Sequence, residues 1–112
     1  MSIRIKIVDD VAVIQVRGML MGGEETTEVH EKVKNLIADG ITKIILDLAK
    51  VKWMNSHGLG MLMGCYSSVT NARGKIGIAR ISEKFESLMN ITKINTLFDD
   101  FESVKQGIAH FR

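Results

Sequence analysis

Short apolar runs and amphipathic segments alternate along this chain, and that alternation limits the possible folds more than any other feature. Apolar runs predict strands at residues 3–8, 11–16, 41–48 and 75–79. Between these runs, apolar residues recur every three or four positions, as on one face of a helix. Strands that alternate with helices are typical of an α/β fold with a mostly parallel sheet and crossover helices.

The first two strands are predicted to form an antiparallel hairpin at one edge of the sheet. Residues 3–8 alternate isoleucine with charged residues, as in a half-buried edge strand. Asp9 and Asp10 predict a tight turn. Residues 11–16 are almost continuously apolar and suit a strand that is buried on both faces, which Gly18 is expected to close.

Four helices are predicted, over residues 24–39, 56–72 and 82–90 and from about residue 100 to the end. Gly40 is expected to cap the first helix at its C-terminus, whereas Ser82 and Asp100 are expected to cap the third and fourth at their N-termini. A last strand is predicted near residues 95–98. The second helix is expected to face the core with Leu59, Leu62, Met63, Tyr66 and Val69. Together these elements predict one α/β domain over residues 1–112, with the order β-β-α-β-α-β-α-β-α.

Composition excludes several classes of protein. The 112 residues are 46% hydrophobic and carry a net charge of only +2, which argues against disorder. No apolar run reaches the ~18 residues of a membrane span, and the first ten residues lack the apolar core of a signal peptide. The cytoplasm is therefore the expected compartment. Because basic residues form no block or stripe, no nucleic-acid partner is expected.

Residues 52–66, with the sequence KWMNSHGLGMLMGCY, form the most informative segment. They follow a predicted central strand and open a helix, which is where open α/β sheets usually place functional sites. Ser56 lies at that junction, where its hydroxyl can cap the helix. A helix N-terminus favours an anion, so a phosphate on Ser56 is electrostatically tolerated there. From spacing alone, the simple capping role is favoured.

Glycines and small residues give this predicted helix a smooth face. Gly58 and Gly60 leave room for another backbone to approach, but the segment matches neither a Walker loop nor a GxGxxG motif. Four residues are predicted to lie away from the core stripe, namely Met61, Gly64, Cys65 and Ser68. Such a face is either buried by neighbouring elements, which is favoured, or presented as a contact surface.

Other reactive side chains have simpler explanations. Ser56 and His57 are adjacent and no third group orients them, so a hydrolase triad is not expected. His30, His57 and His110 lack metal-ligand spacing, so solvated or capping roles, and no metal site, are expected. Cys65, the single cysteine, excludes an internal disulfide and is expected to be an inert part of its helix.

Two further residues flank the segment. Asp47 ends the predicted strand, where it can bind a metal ion or a phosphate or cap a nearby loop, and capping is favoured. Trp53 is expected to pack at the rim of the sheet.

At this segment the chain resembles the STAS-domain family of bacterial anti-sigma factor antagonists. In that family an apolar strand ends in Asp, and a short loop leads to an aromatic-apolar-Asp-Ser-Ser-Gly-Leu-Gly helix start. Here the strand end is Ile44-Ile45-Leu46-Asp47-Leu48 and the helix start is Trp53-Met54-Asn55-Ser56-His57-Gly58-Leu59-Gly60. The resemblance extends over almost the whole chain, including the first hairpin and the terminal helix.

The resemblance implies regulation by partner switching. The unphosphorylated antagonist binds an anti-sigma factor that is also a serine kinase; phosphorylation of the antagonist releases it, and a metal-dependent serine phosphatase reverses the modification. Carried over by position, the phosphoacceptor is Ser56. The implied partner surface comprises Asn55, Ser56, His57, Gly58, Gly60, Met61 and Gly64. ATP and metal belong to the partners, so this chain is expected to be no enzyme and to need no cofactor.

Two residues depart from the family pattern. Asn55 stands where the family usually has Asp, and His57 stands where it usually has a second Ser. Both bear on which kinase acts on the chain, but neither removes the hydroxyl. One alternative is an unphosphorylated STAS scaffold or ligand-sensing subunit of a larger signalling assembly, in which Ser56 only caps the helix. A small enzyme that uses Ser56 or Cys65 ranks far behind.

Overall fold

The computed structural model describes residues 3–112, so Met1 and Ser2 of the predicted 1–112 domain lie outside the described residues. The described elements are β1 (Ile3–Val8), β2 (Val11–Leu20), α1 (Glu24–Ala38), β3 (Lys43–Met54), α2 (Ser56–Asn71), β4 (Lys75–Ala79), α3 (Glu83–Ile91), a 3₁₀ turn (Ile94–Thr96), β5 (Asp99–Phe101) and α4 (Val104–Phe111). Apart from the 3₁₀ turn, this is the predicted order. The α/β fold is therefore confirmed. Within residues 3–112, no helix is both long and apolar enough to cross a membrane.

The five strands form one mixed sheet in the order β1-β2-β3-β4-β5. β1 pairs with β2 in antiparallel fashion, from Ile3 opposite Val16 to Val8 opposite Val11. The remaining neighbours pair in parallel, as crossover helices require. The predicted turn of the hairpin is confirmed at Asp9, whose φ of 57° lies in the left-handed region.

Helices cover both faces of the sheet. The larger core lies against α1, α2 and α3 and takes Ile14 from β2 and Leu46 from β3. The smaller core lies against α4 and takes Val13 and Ile45, the sequence neighbours of those residues. Because successive side chains of a strand point to opposite faces, the continuous apolar runs of β2 and β3 supply both cores. The prediction that residues 11–16 are buried on both faces is confirmed.

Two strands are longer than predicted. β2 continues through Gly18 to Leu20, and β3 continues past residue 48 to Met54. The two extensions pair with each other, ending with Leu20 opposite Met54, through register shifts next to Arg17 and Gly18. Gly18 has a φ of 86°, which glycine adopts without strain. The prediction that Gly18 closes the strand is therefore wrong, because the bulge bends the strand without ending it.

The prediction for residues 95–98 is also wrong. The 3₁₀ turn occupies this region, and the last strand is Asp99–Phe101, which pairs with β4. Asp100 lies in that strand and does not cap α4. Ser103 caps α4 instead, since its hydroxyl accepts a hydrogen bond from the backbone N–H of Gln106 at 3.1 Å. The apolar pattern did not predict β5 because two of its three residues are aspartates, Asp99 and Asp100, and the strand is stabilised by backbone pairing with β4.

The predicted core face of α2 is confirmed at Leu59, Leu62, Tyr66 and Val69, but the buried face is wider than predicted and excludes Met63. Met63 is 36% exposed, whereas Met61 and Cys65 are buried, so the prediction that these last two lie away from the core is wrong. α2 packs against α1 as well as the sheet, which widens its buried face. Burial raises the pKa of the Cys65 thiol to about 12. The thiol is therefore protonated at neutral pH, which agrees with the expected inert role.

Asp47 is buried and forms a two-pronged ion pair. Its Oδ1 accepts from Arg80 Nε at 3.0 Å and from the Ala49 N–H at 3.2 Å, and its Oδ2 accepts from Arg80 Nη2 at 2.7 Å. The predicted capping role is thus confirmed in part, but the main partner is a guanidinium at the end of β4. The pair neutralises a carboxylate in the centre of the sheet.

We expect Arg80→Met to lower the free energy of unfolding by about 2 kcal/mol, because it leaves the buried Asp47 carboxylate without its charged donor while the 43% exposure of Arg80 lets solvent reach the site. Urea unfolding followed by circular dichroism measures this loss. The matched control is Arg112→Met, which removes the exposed Arg112–Asp9 pair and should cost less than about 1 kcal/mol. Equal losses in the two variants would contradict the structural role given to Asp47.

His30 joins α1 to α2. A hydrogen bond of 2.9 Å links its Nε2 to Ser68 Oγ, and its ring lies against Gly64, where an added Cβ would be 2.7 Å from His30 Cε1. His30 is therefore a packed interface residue, and the expected solvated or capping role is wrong. Burial lowers the pKa of His30 below its ordinary 6.5, with a smaller contribution from the charge of Lys34.

A lowered histidine pKa makes stability fall on acidification. Below about pH 6.5 the unfolded chain binds a proton at His30 more readily than the folded chain does. The resulting loss grows as the pH falls and is complete below the folded pKa. We expect the wild type to lose more stability than His30→Gln between about pH 7.5 and 5.5, as measured by urea unfolding. Parallel pH profiles for the two proteins would show that His30 has no such effect.

Candidate functional site

Asn55 fixes the start of α2. Its backbone N–H donates to the Leu20 carbonyl at 3.3 Å, and its Nδ2 donates to the Met21 carbonyl at 3.2 Å. Its Oδ1 accepts from the N–H groups of His57 and Gly58 at 3.0 and 3.3 Å. Asn55 is therefore the N-cap of α2, and the prediction that Ser56 is the cap is wrong.

Ser56 is the first residue of α2, and its side chain is exposed. Its hydroxyl forms no hydrogen bond to any residue of the described range. The hydroxyl is thus accessible, and it lies where the helix dipole favours negative charge. The expected position of Ser56, at an exposed helix N-terminus after a central strand, is confirmed.

The His57 side chain packs against the loop after β2. Its exposed ring lies against Gly22, where an added Cβ would be 2.9 Å from His57 Cγ. No hydrogen bond joins the His57 and Ser56 side chains anywhere in the described structure. A nucleophile and its base need that bond, so this arrangement does not form a hydrolytic pair.

The three glycines of the predicted surface have different surroundings. A Cβ on Gly58 would collide with the Leu20 carbonyl oxygen and the Met54 side chain, so this glycine lets α2 approach β2 closely. Gly60 faces open space, with nothing near its Cβ position. Gly64 is half-buried and lies against His30.

The predicted partner surface is therefore only partly exposed. Asn55, Ser56, His57 and Gly60 are accessible or half-accessible, whereas Gly58 and Met61 are buried and can act only by shaping the helix. No cluster of three or more His, Cys, Asp or Glu side chains that could hold a metal ion occurs in residues 3–112.

Exposed apolar side chains near this helix were missed by the sequence reasoning. Met19, Met21 and Met63 are exposed, and Trp53 is 58% exposed, so the prediction that Trp53 packs at the rim is wrong. Met19 and Trp53 are paired across the extension of β2 and β3. We call the set Met19, Met21 and Trp53, which lies at the ends of β2 and β3, the apolar patch. Its sequence signal is the apolar character of residues 19–21 and 51–54 beyond the predicted strand ends.

Comparison with known proteins gives this site a context. The sequence model of the STAS domain matches residues 2–107. A protein from Thermotoga maritima that is named as a candidate anti-sigma factor antagonist is 23% identical over 109 residues, covering 96% of this chain and 95% of that protein.

Solved structures share the fold. A candidate anti-sigma factor antagonist from Thermotoga maritima superposes with a TM-score of 0.89 at 22% identity, covering 98% of this chain and 94% of that one. The Bacillus cell fate determinant SpoIIAA, solved in its phosphorylated form, superposes with a TM-score of 0.77 at 19% identity, covering 98% and 99%. Since the family match spans nearly every element from β1 to α4, the chain belongs to the STAS domain family.

Proposed function

We propose that this chain is an anti-sigma factor antagonist that acts by partner switching in the cytoplasm. In its unphosphorylated form it binds an anti-sigma factor that is also a serine kinase. Phosphorylation of Ser56 releases it, and a metal-dependent serine phosphatase restores binding. The observation that carries this proposal is the exposed, unbonded Ser56 hydroxyl at the N-terminus of α2.

The surroundings of Ser56 suit a partner interface. Asn55, Ser56, His57 and Gly60 are exposed or half-exposed, and the apolar patch adds three large side chains from β2, the loop after β2, and β3. Exposed apolar residues grouped in this way mark interaction sites. Gly60, with no side chain and nothing near it, lets a partner backbone approach the first turn of α2.

The local charge explains how phosphorylation would break the complex without breaking the fold. A phosphate adds about −1.5 to −2 charge at neutral pH. The helix N-terminus stabilises an exposed anion by about 0.3–1 kcal/mol, so the fold tolerates the modification. A partner docked over the first turn of α2 must strip water from the phosphate, which is costly without a paired donor.

The departures from the family pattern keep this chemistry possible. Asn55 does the capping that the N-terminus of α2 needs, through two backbone N–H groups. His57 lies against Gly22 and leaves the Ser56 hydroxyl open. ATP and metal are supplied by the kinase and the phosphatase, so the chain itself carries out no catalysis in this proposal.

Phosphorylation of Ser56 is predicted to control partner binding. The cognate anti-sigma factor is identified by co-purification from the native cell, and its affinity is measured before and after complete phosphorylation. We expect phosphorylation to weaken binding more than about a hundredfold, which corresponds to a penalty of about 3 kcal/mol. Ser56→Ala should stay bound and resist release by kinase and ATP.

The matched control is Ser67→Ala, which removes an exposed serine farther along the same helix and should be phosphorylated and released like the wild type. Ser56→Asp should bind worse while remaining folded. If the phosphate maps to another residue, or if phosphorylated Ser56 leaves the affinity unchanged, the partner-switching assignment is wrong. Unmodified protein that nonetheless stays in a larger assembly would favour the scaffold or ligand-sensing alternative.

The Asn55 cap is predicted to stabilise the fold. Asn55→Ala removes the acceptor for two N–H groups and should lower the free energy of unfolding by about 1 kcal/mol. Asn55→Asp keeps the acceptor and places a negative charge at the helix N-terminus, but it loses the Nδ2 donor to the Met21 carbonyl, so its stability should lie between those of wild type and Asn55→Ala. Urea unfolding measures both. An Asn55→Ala protein as stable as wild type would show that the cap contributes nothing.

A further inference from the structure

An open groove of about 900 Å³ lies beside the apolar patch. Residues of the β2 and β3 extensions line it, together with residues from the start of α1 and from the start of α3. Two of its lining residues, Met19 and Trp53, also belong to the apolar patch. The groove therefore lies at the end of β3, the strand that leads into α2 and Ser56.

The groove is strongly basic. Its cationic lining residues are Arg17, Lys50, Lys52 and Lys84. Within residues 3–112 none of these four cations forms an ion pair, since the ion pairs there join other residues. Among the described residues 3–112, Glu25 supplies the one carboxylate of the lining. Its Oε2 accepts a hydrogen bond from the Met19 N–H at 3.3 Å.

Four cations beside an exposed tryptophan form a surface that is complementary to a ligand with both negative charges and an apolar group. Lys84 Nζ lies 4.6 Å from the centre of the Trp53 ring, so one cation and the aromatic face are already held together. The remaining charges are left for an external anion. Tryptophan at the centre of a contact is a frequent source of binding energy, and complementary charges around it speed and orient association.

We propose that the groove formed by Arg17, Met19, Lys50, Lys52, Trp53 and Lys84 binds an acidic segment of the anti-sigma partner. This inference rests on the proposed function and adds the chemistry of the partner to it. Aspartate and glutamate side chains of that segment pair with the cations, while an apolar side chain contacts Trp53 and Met19. Another part of the partner then contacts the start of α2.

The test uses the full chain and the anti-sigma partner identified by co-purification. Lys52→Gln/Lys84→Gln removes two groove charges, and both side chains are exposed. The control, Lys6→Gln/Lys105→Gln, removes two exposed charges that lie outside the groove, in β1 and α4. The two variants therefore change the net charge equally. Circular dichroism confirms that each is folded.

We expect the groove variant to bind about tenfold more weakly than wild type at about 0.05 M salt, and the difference to shrink by about 0.5 M salt as screening removes it. The control should stay within about twofold of wild type. Trp53→Ala should weaken binding roughly thirtyfold, with little dependence on salt. Carbodiimide coupling should join Lys52 or Lys84 to Asp or Glu residues within one segment of the partner.

Several results would overturn the inference and leave the proposed function standing. One is a wild-type chain that binds the partner and releases it on phosphorylation while the groove variant binds equally well. Another is equal weakening in both charge variants, which would reflect overall charge. A third is that the wild type binds a single-stranded DNA oligonucleotide and the groove variant does not, while both proteins bind the anti-sigma partner equally well. If the wild type binds no anti-sigma partner at all, the proposed function fails and this inference fails with it.

Discussion

Four hydrogen bonds made by Asn55 join the end of β2 to the start of α2, two segments that are far apart in the chain. Its backbone and its Nδ2 hold the carbonyls of Leu20 and Met21, at the end of β2 and just beyond it. Its Oδ1 holds the first free N–H groups of α2. These bonds make Ser56 the first residue of α2, where its side chain is exposed. Gly58 completes the arrangement by letting α2 pack directly on the Leu20 carbonyl.

The same region separates stability from recognition. Beneath it, the sheet is held by buried aliphatic side chains and by the Asp47–Arg80 pair, which neutralises the buried carboxylate. Above it, the exposed side chains are a serine, a histidine, methionines, a tryptophan and unpaired cations. In the proposed switch, a charge added at Ser56 would act on a docked partner and spare the fold, because the Ser56 side chain is exposed and a helix N-terminus favours an anion.

Much of the fold could be predicted from sequence because it depends on periodicity. Helical spacing located α1 and α2 close to their observed bounds, and continuous apolar runs located β2 and β3, although both strands extend beyond their predicted ends. The errors arose where tertiary contacts decide the outcome. β5 is stabilised by backbone pairing, which its two aspartates do not indicate in the sequence. The buried face of α2 includes Cys65 because α2 packs against α1 as well as against the sheet.

The candidate site was predicted in position but not in detail. The strand-to-helix junction placed Ser56 at the start of α2, but local spacing did not distinguish Asn55 from Ser56 as the cap, since both side chains are good caps. The groove had no sequence signal of its own. Its cations come from three separate segments, and only the paired extension of β2 and β3 and the start of α3 bring them together.

The central claim is that the phosphorylation state of Ser56 decides whether the partner is bound. The most direct test isolates the partner-bound and free pools of the chain from the native cell and measures phosphate on the peptide containing Ser56 by mass spectrometry. The account predicts an unmodified Ser56 in the bound pool and phosphorylated Ser56 in the free pool. Equal occupancy in both pools, or phosphate only on another residue, would contradict it.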